Sequence, residues 1–419
     1  MTRSKTDLSI VILLPVSALL LAGWTHGHGA TTYDGIVATR GSAPSVQDSH
    51  TQVMSRVASF TRSAVTQIKI ITPNWYAGEN TPGATATLTA SIEYPVGVCT
   101  QLKWSTATSV TVSDGGQVTS DYATLSIPTN TQFWIREYMT NASGVPVDAY
   151  QGQNLALGDA LILGNSGVVD QTVSCGTVTD GGTFESLAPL AIIAPITAPS
   201  VCILGDSIAL GVDNAHTPNS TGDSGAIAPS IAPSFGYSNM GVNGDTASTF
   251  ASTLNTNRRA VLSYCSHLIV EYGTNDFSFG GSSVAQLQTD LTTIYGFAPV
   301  GTVTFQTTLF PRTCSTDSWA TTTNQSPEGT GSCNLSSNFE SKRATFDAAL
   351  IGGTFGPNGG FFDPDSVVGT GTNNSLWRAG AGFPTCNPWT DDGVHPNTCS
   401  YYTVLQSSGY IDLSRIHRP

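Results

Sequence analysis

Three short blocks of this chain hold residue types that, brought together, would perform acyl transfer. An apolar run, Val201-Cys202-Ile203-Leu204, stops at Gly205, and Ser207 follows two residues later. Gly273-Thr274-Asn275-Asp276 follows a second apolar run, and Asp392-Gly393-Val394-His395 lies near the C-terminus. A serine hydroxyl is a weak nucleophile until a neighbouring base takes its proton. The base needs an acid to orient it, and the oxyanion formed on the attacked carbonyl needs hydrogen-bond donors. Ser207 sits where a strand ends and a helix can begin, so its own N–H could face the site. Gly244, within Gly241-Val242-Asn243-Gly244-Asp245-Thr246, follows another strand candidate. A glycine there lets a backbone N–H approach a ligand closely. Asn275 brings a neutral amide donor. Asp392 and His395 are three positions apart, so a single turn holds both on one side, and Pro396 limits the chain that follows.

These residues need a frame. From Ser200 onward, strand and helix patterns alternate. Residues 201–204, 238–242, 267–272, 302–310 and 361–367 read as strands, and 247–264, 284–295, 337–350 and 399–407 as helices. In the second helix Val284, Leu287, Leu291, Ile294 and Tyr295 recur at three- and four-residue steps, one face of a helix. Such alternation implies a parallel sheet covered on both faces. In open sheets of that kind ligands bind at the carboxyl ends of the strands. Ser207, Gly244 and Asn275 all lie just beyond such ends.

Taken in order, Gly205-Asp206-Ser207, Gly244 in its Asn-Gly-Asp-Thr setting, Gly273-Thr274-Asn275-Asp276 and Asp392-Gly393-Val394-His395-Pro396-Asn397 resemble the blocks of the SGNH (GDSL-type) hydrolase family. The resemblance covers residues 200–414, about half of the chain. It implies a flavodoxin-like three-layer α/β/α fold and hydrolysis of esters, thioesters or acylated sugars. It also implies roles: Ser207 as nucleophile and first oxyanion donor, Gly244 N–H and the Asn275 amide as further donors, His395 as base, Asp392 as its orienting acid. No cofactor is expected. Residues 312–339 and 352–377 stand as insertions near the site and bear on substrate size and access.

The N-terminal half has another pattern. Residues 84–94 alternate strictly, with Ala, Ala, Leu, Ala, Ile and Tyr on one side and Thr, Thr, Thr, Ser and Glu on the other, a half-buried strand. Further strand candidates are 98–104, 109–112, 118–127, 132–139 and 182–187, with hairpin-type turns at Asp114-Gly115-Gly116 and Asp180-Gly181-Gly182. Short strands without helices suggest an antiparallel β-sandwich over 66–198, joined by Pro195, Pro199 and nearby alanines to a catalytic domain at 199–419. Residues 31–65 read as a polar tether with at most a weak helix near 53–60. Residues 1–30 read as an export signal or, uncleaved, an anchor: Arg3 and Lys5 precede an apolar core broken by Pro15, too short for a comfortable membrane span.

Charged residues are only 11%, and the net charge of -13 leaves no phosphate-neutralising patch, which argues against nucleic acid as a partner. The eight cysteines, none in a Cys-x-x-Cys pair, fit a secreted or periplasmic protein. Local closure favours Cys386 with Cys399 and Cys314 with Cys333. Cys202 and Cys265 each enter a strand candidate and could bridge neighbours, leaving Cys99 with Cys175.

Several residues invite other readings. A second Gly-Asp-Ser, at Gly222-Asp223-Ser224, lacks a preceding apolar strand and an upstream catalytic-type histidine. Gly164-Asn165-Ser166-Gly167 lacks the spacing of a nucleophile elbow. His267 reads as structural, His216 as a loop residue. Asp391 competes with Asp392 as the acid, and Asp206 and Asp245 read as steadying neighbours. Trp377 and Trp389 either line a cleft or pack. No His/Asp/Glu cluster suits a metal. The expectation is an exported serine esterase acting on a small-molecule or glycan ester. The alternative is a surface or glycan-binding protein with an inactive hydrolase domain, suggested by the β-rich half and by Trp75, Trp104 and Trp134.

Overall fold

The structure is a computed structural model that describes residues 31–212, 219–379 and 386–417. The export signal and His216 lie outside the described residues.

The frame of the C-terminal half is a six-stranded sheet in which all neighbouring pairs run parallel. Its strands are β1 (Gly41–Ser42), β2 (Ser200–Gly205), β3 (Gly236–Asn239), β4 (His267–Glu271), β5 (Val303–Thr307) and β6 (Phe361–Phe362), in the spatial order β1-β3-β2-β4-β5-β6. Counted from β2, this is the 2-1-3-4-5 order of a doubly wound α/β sheet. Every residue of β2 is buried. A strand covered on both faces has no polar side, so it reads as an unbroken apolar run rather than an alternation. The order reverses between β2 and β4, and the crevice at that reversal is where the ends of β2, β3 and β4 meet.

The helices follow their capping chemistry. Helix α1 (Ser207–Leu210) starts at Asp206, whose carboxylate accepts from Ile208 N–H at 2.9 Å. The single helix expected over 247–264 is two, α2 (Ala247–Ala251) and α3 (Thr256–Val261), followed by a 3-10 turn. The break lies in Ser252-Thr253-Leu254-Asn255, whose polar side chains compete for backbone: Asn255 Nδ2 donates to Thr249 O at 2.7 Å. Helix α4 (Thr274–Ser278) follows β4. In α5 (Val284–Tyr295), Leu287, Leu291 and Ile294 are buried and Ser283 caps the start. Helix α6 spans Phe339–Ile351, with Phe339, Phe346 and Leu350 buried. The strand expected over 361–367 is only the two residues of β6; Pro364 then opens a short helix, Asp365–Val368.

The N-terminal half contains two antiparallel sheets of five and six strands and a small two-stranded one that pairs Val46–Gln47 with Pro146–Val147. Ile68, Ile70, Ile192 and Ala194 of one share an apolar core with Val53, Leu88, Ile92, Phe133 and Ile135 of the other. Three expectations need correction. Residues 31–65 are not a tether, and 53–60 is not helical. Tyr33–Ile36 and Gln52–Phe60 are strands, the second paired on both sides, with Gln132–Asn141 and Ala160–Gly164. Both faces of Gln52–Phe60 are covered, and Arg56 pairs there with Glu93 at 2.7 Å. Alternation of polarity is therefore missing from its sequence. Residues 182–187 form no strand, only a bridge between Asp148 and Ser186.

The border placed at 198/199 is not a linker either. Ala191–Ile196, Pro195 included, is a strand paired with Tyr33–Ile36 and Val65–Pro73. Ile36, Ile71, Trp75 and Ile193 belong to the same apolar cluster as Cys202, Leu204, Met240 and Val261. Residues 32–419 accordingly form one compact unit, with β1 lent to the central sheet by the N-terminal half. Trp75, Trp104 and Trp134 are buried, the first two in apolar cores and the third under the Arg56 guanidinium, rather than presenting faces for a sugar. Disulfides join Cys99–Cys175, Cys202–Cys265, Cys314–Cys333 and Cys386–Cys399.

Candidate active site

Ser207 is the first residue of α1, directly after β2, and its side chain is almost fully buried. Its placement depends on glycines. A Cβ on Gly205 would stand 2.6 Å from Ala209 Cβ and 2.8 Å from Glu271 O, so the strand could not turn into α1 with any other residue there. His395 comes from the far end of the chain, and its Nε2 lies 2.8 Å from Ser207 Oγ. Its Nδ1 lies 2.6 Å from Asp392 Oδ2. The other carboxylate oxygen of Asp392 accepts the N–H groups of Val394 and His395, each at 2.8 Å. Burial pushes the Asp392 carboxyl up, but the hydrogen bond and charge of His395 and these N–H donors overcome it. Its pKa is held below the usual carboxylate range. An ionised Asp392 fixes the proton of His395 on Nδ1 and leaves Nε2 to accept from Ser207.

The loop bearing Asp392 and His395 hangs on Gly393. At φ +81 this residue adopts a left-handed conformation, and a Cβ there would lie 2.1 Å from Thr313 O. Its carbonyl accepts the Thr313 N–H at 3.0 Å and the Trp377 indole N–H at 2.9 Å. Both donors come from the segments 312–339 and 352–377, which thus grip the loop of Asp392 and His395. Cys386–Cys399 closes the same loop at its root. Trp377 and Trp389 are buried, so they pack under the loop and do not line a cleft. Asp391 is exposed and near Asn397 Nδ2 rather than His395.

Gly244 is the exposed crest of the loop after β3, with φ +76 and open space where a Cβ would project. The loop is tied down on both sides. Val242 N–H donates to Gly205 O at 3.0 Å, and Asn275 Nδ2 donates to Asp245 O at 3.0 Å. An amide NH2 has two donors, so Asn275 can hold the loop and still offer a hydrogen to an oxyanion. Asp245 takes Arg258 Nη1 and the Tyr272 hydroxyl, each at 2.8 Å. Asp276 accepts from Ala247 N–H at 3.0 Å and so anchors the start of α2; burial raises its pKa to about 7.

Under Ser207 lies a buried carboxyl pair. Asp206 and Glu271 are both fully buried, and Asp206 N–H reaches Glu271 Oε2 at 3.4 Å. Burial pushes Asp206 up to about 6 and Glu271 well above the usual range, so the site disfavours two neighbouring charges. Arg258, Tyr272, Glu271, Thr313 and the role of Trp377 escape sequence reasoning, because each acts through a neighbour distant in the chain.

The decoys fall elsewhere. At the second Gly-Asp-Ser, Asp223 accepts the Tyr237 hydroxyl at 2.6 Å, Arg40 lies against Gly222, and no base reaches Ser224 Oγ. Buried His267 stacks on Phe305 and bonds Ser266 Oγ at 2.8 Å. Ser166 lies in an exposed turn. Among the described residues the three-ligand cluster is Glu93 with Cys99 and Cys175, whose sulfurs are joined to each other.

No protein-family model matches this sequence, and no curated protein matches it. Among solved structures it is similar to an acylhydrolase-type protein from Bacteroides fragilis at 20% identity and TM-score 0.34, over 52% of this chain and 86% of that one. A GDSL-like lipase from Bacteroides thetaiotaomicron is similar at 16% identity and TM-score 0.34, over 52% and 87% of the respective chains. Protein YXIM from Bacillus subtilis is similar at 15% identity and TM-score 0.37, over 92% of this chain and 80% of its own. GDSL-type ester hydrolases are thus among the structures this chain is similar to. At such scores the likeness adds nothing to the geometry above.

Proposed function

We propose that this chain is an exported serine esterase of the SGNH (GDSL-type) kind, acting on carboxylic esters through Ser207, His395 and Asp392. The observation that carries the reading is the unbroken line Asp392 Oδ2, His395 Nδ1, His395 Nε2, Ser207 Oγ, with steps of 2.6 and 2.8 Å. His395 takes the proton of Ser207 as the oxygen attacks the ester carbonyl. The carbonyl oxygen becomes an oxyanion held by the N–H groups of Ser207 and Gly244 and by the Asn275 amide. Collapse expels the alcohol, protonated by His395, and leaves an acyl-serine. Water, deprotonated by the same imidazole, then releases the acid.

Four disulfides support an oxidising compartment, secreted or periplasmic, and no helix among the described residues is long and apolar enough to cross a membrane. The pair of antiparallel sheets is classed as a β-sandwich fused to the catalytic sheet. Acylated carbohydrate is the favoured substrate class, on the strength of export and that fusion. The test is a panel of short- and long-chain esters beside acetylated polysaccharides, run with the wild type and Ser207→Ala. Loss of all hydrolysis in a folded Ser207→Ala protein supports the reading; full activity on a short-chain activated ester overturns it.

A further inference from the structure

Both neighbours of Gly244 are connected to the N-terminal half, by two separate routes. On one side, Asn243 Nδ2 donates to the Tyr150 hydroxyl at 3.2 Å. Tyr150 is placed by Asp148, which accepts its N–H at 2.9 Å and also receives the Ser42 hydroxyl from β1, the strand beside β3. On the other side, Asp245 is bound by Arg258 at 2.8 Å, and Arg258 belongs to α3. The start of α3 is capped by Glu79, which accepts Asn257 N–H at 3.0 Å and Arg258 N–H at 2.8 Å. The Glu79 side chain is 4% exposed and the Arg258 side chain fully buried. Glu79 is delivered by a turn in which Ala77, Gly78 and Glu79 all have positive φ, at 32°, 70° and 69°. Non-glycine residues hold that conformation only where surrounding structure enforces it. Neither route runs through Ser207, His395 or Asp392.

We propose that Glu79 and Tyr150 are positioning residues for the oxyanion loop, so that the N-terminal half sets the aim of the Gly244 N–H. The proposal rests on the esterase reading above. A donor must meet the oxyanion, not the ground-state carbonyl, so small displacements of Gly244 weaken transition-state binding and leave substrate binding nearly untouched. Glu79→Gln halves the cap on α3 and removes the charge facing Arg258; Tyr150→Phe deletes the hydroxyl that holds Asn243.

The experiment uses the full chain, p-nitrophenyl acetate as substrate and a short alkyl boronic acid as a probe of the tetrahedral adduct. For Glu79→Gln, kcat falls about 10-fold with KM within about twofold, and boronic acid affinity falls in step. The acid limb of the pH–rate profile does not move, because the base is untouched. Tyr150→Phe shows the same pattern at smaller size and guards against a Glu79 variant that fails to fold. A folded variant with unchanged kcat and boronic acid affinity, whatever its melting temperature, removes its residue from the proposal. Ser207→Ala in the same assay separates the two levels. If it stays active, the esterase reading fails; if it is dead while both variants match the wild type, only the positioning proposal fails.

Discussion

The indole N–H of Trp377 donates to the carbonyl of Gly393 at 2.9 Å, inside the four-residue segment that runs from Asp392 to His395. Replacing this tryptophan by phenylalanine keeps most of the packing and removes one donor. The Gly393 carbonyl retains the Thr313 N–H, so the expected loss of stability is about 1 kcal/mol. Turnover should fall more than that suggests, by about 10-fold, because the loop sets the distance from His395 to Ser207. Thermal melts together with kcat for Trp377→Phe check both parts.

Asp392→Asn preserves the acceptor for the Val394 and His395 N–H groups, so the loop keeps its shape. The asparagine favours the wrong imidazole tautomer and lowers kcat by about 100- to 10,000-fold. A depressed folded-state pKa stabilises the protein above the unfolded value, and that contribution disappears as pH falls through the folded value. Asp392 thus stays ionised throughout the neutral range and adds no titration step to the wild-type pH–rate profile there. A wild-type-like kcat in Asp392→Asn would exclude the orienting role.

Asn275 holds Asp245 O, and in the proposed mechanism it also offers a donor to the oxyanion. Asn275→Ala removes both, and a loss of about 100- to 1000-fold in kcat is expected. One hydrogen bond to a backbone carbonyl accounts for only about 1 kcal/mol of stability, so the melting temperature changes little. Circular dichroism melts beside steady-state kinetics separate the two effects.

A fourth expectation concerns stability alone. Glu137 is fully buried on Gln132–Asn141; its Oε1 accepts the Thr72 hydroxyl, its Oε2 meets no partner among the described residues, and burial pushes its pKa up to about 8. A carboxyl whose folded pKa is raised costs stability once the unfolded chain can ionise. The wild type should therefore lose stability between about pH 4.5 and pH 8, at up to about 1.4 kcal/mol per pH unit. Glu137→Gln should flatten that slope, with its advantage largest near pH 8. Melting temperatures of both proteins across this range decide it.

The parts of this molecule that were legible in its sequence are those where chemistry and burial act locally. β2 and β4 are buried on both faces, so their apolar runs stand out, and α5 shows its face through Leu287, Leu291 and Ile294. Asp392 and His395 could be paired because one turn joins them. Gln52–Phe60 was illegible for the opposite reason: covered on both faces yet carrying Arg56, Ser55 and Ser59, it has neither alternation nor an apolar run. Arg258, Thr313 and Glu79 act only through partners distant in the chain. Trp377 could be seen but not assigned, since a large indole near the site suits cleft and core equally.

The strand Gly41–Ser42 is only two residues long, yet it occupies the outer edge of the central sheet, beside β3. An edge strand left bare offers a row of unpaired N–H and C=O groups to any other chain, and β1 covers that row. The residues that do so emerge from the ribosome some 160 positions ahead of β2. A fragment cut at 199 would therefore carry the whole catalytic constellation and an open seam along β3, together with the apolar surface that Ile36, Ile71 and Ile193 normally cover. Such a fragment is poised to associate with copies of itself. The protective edge and Ser207 thus belong to one folded unit and cannot be parted by a cut at 199.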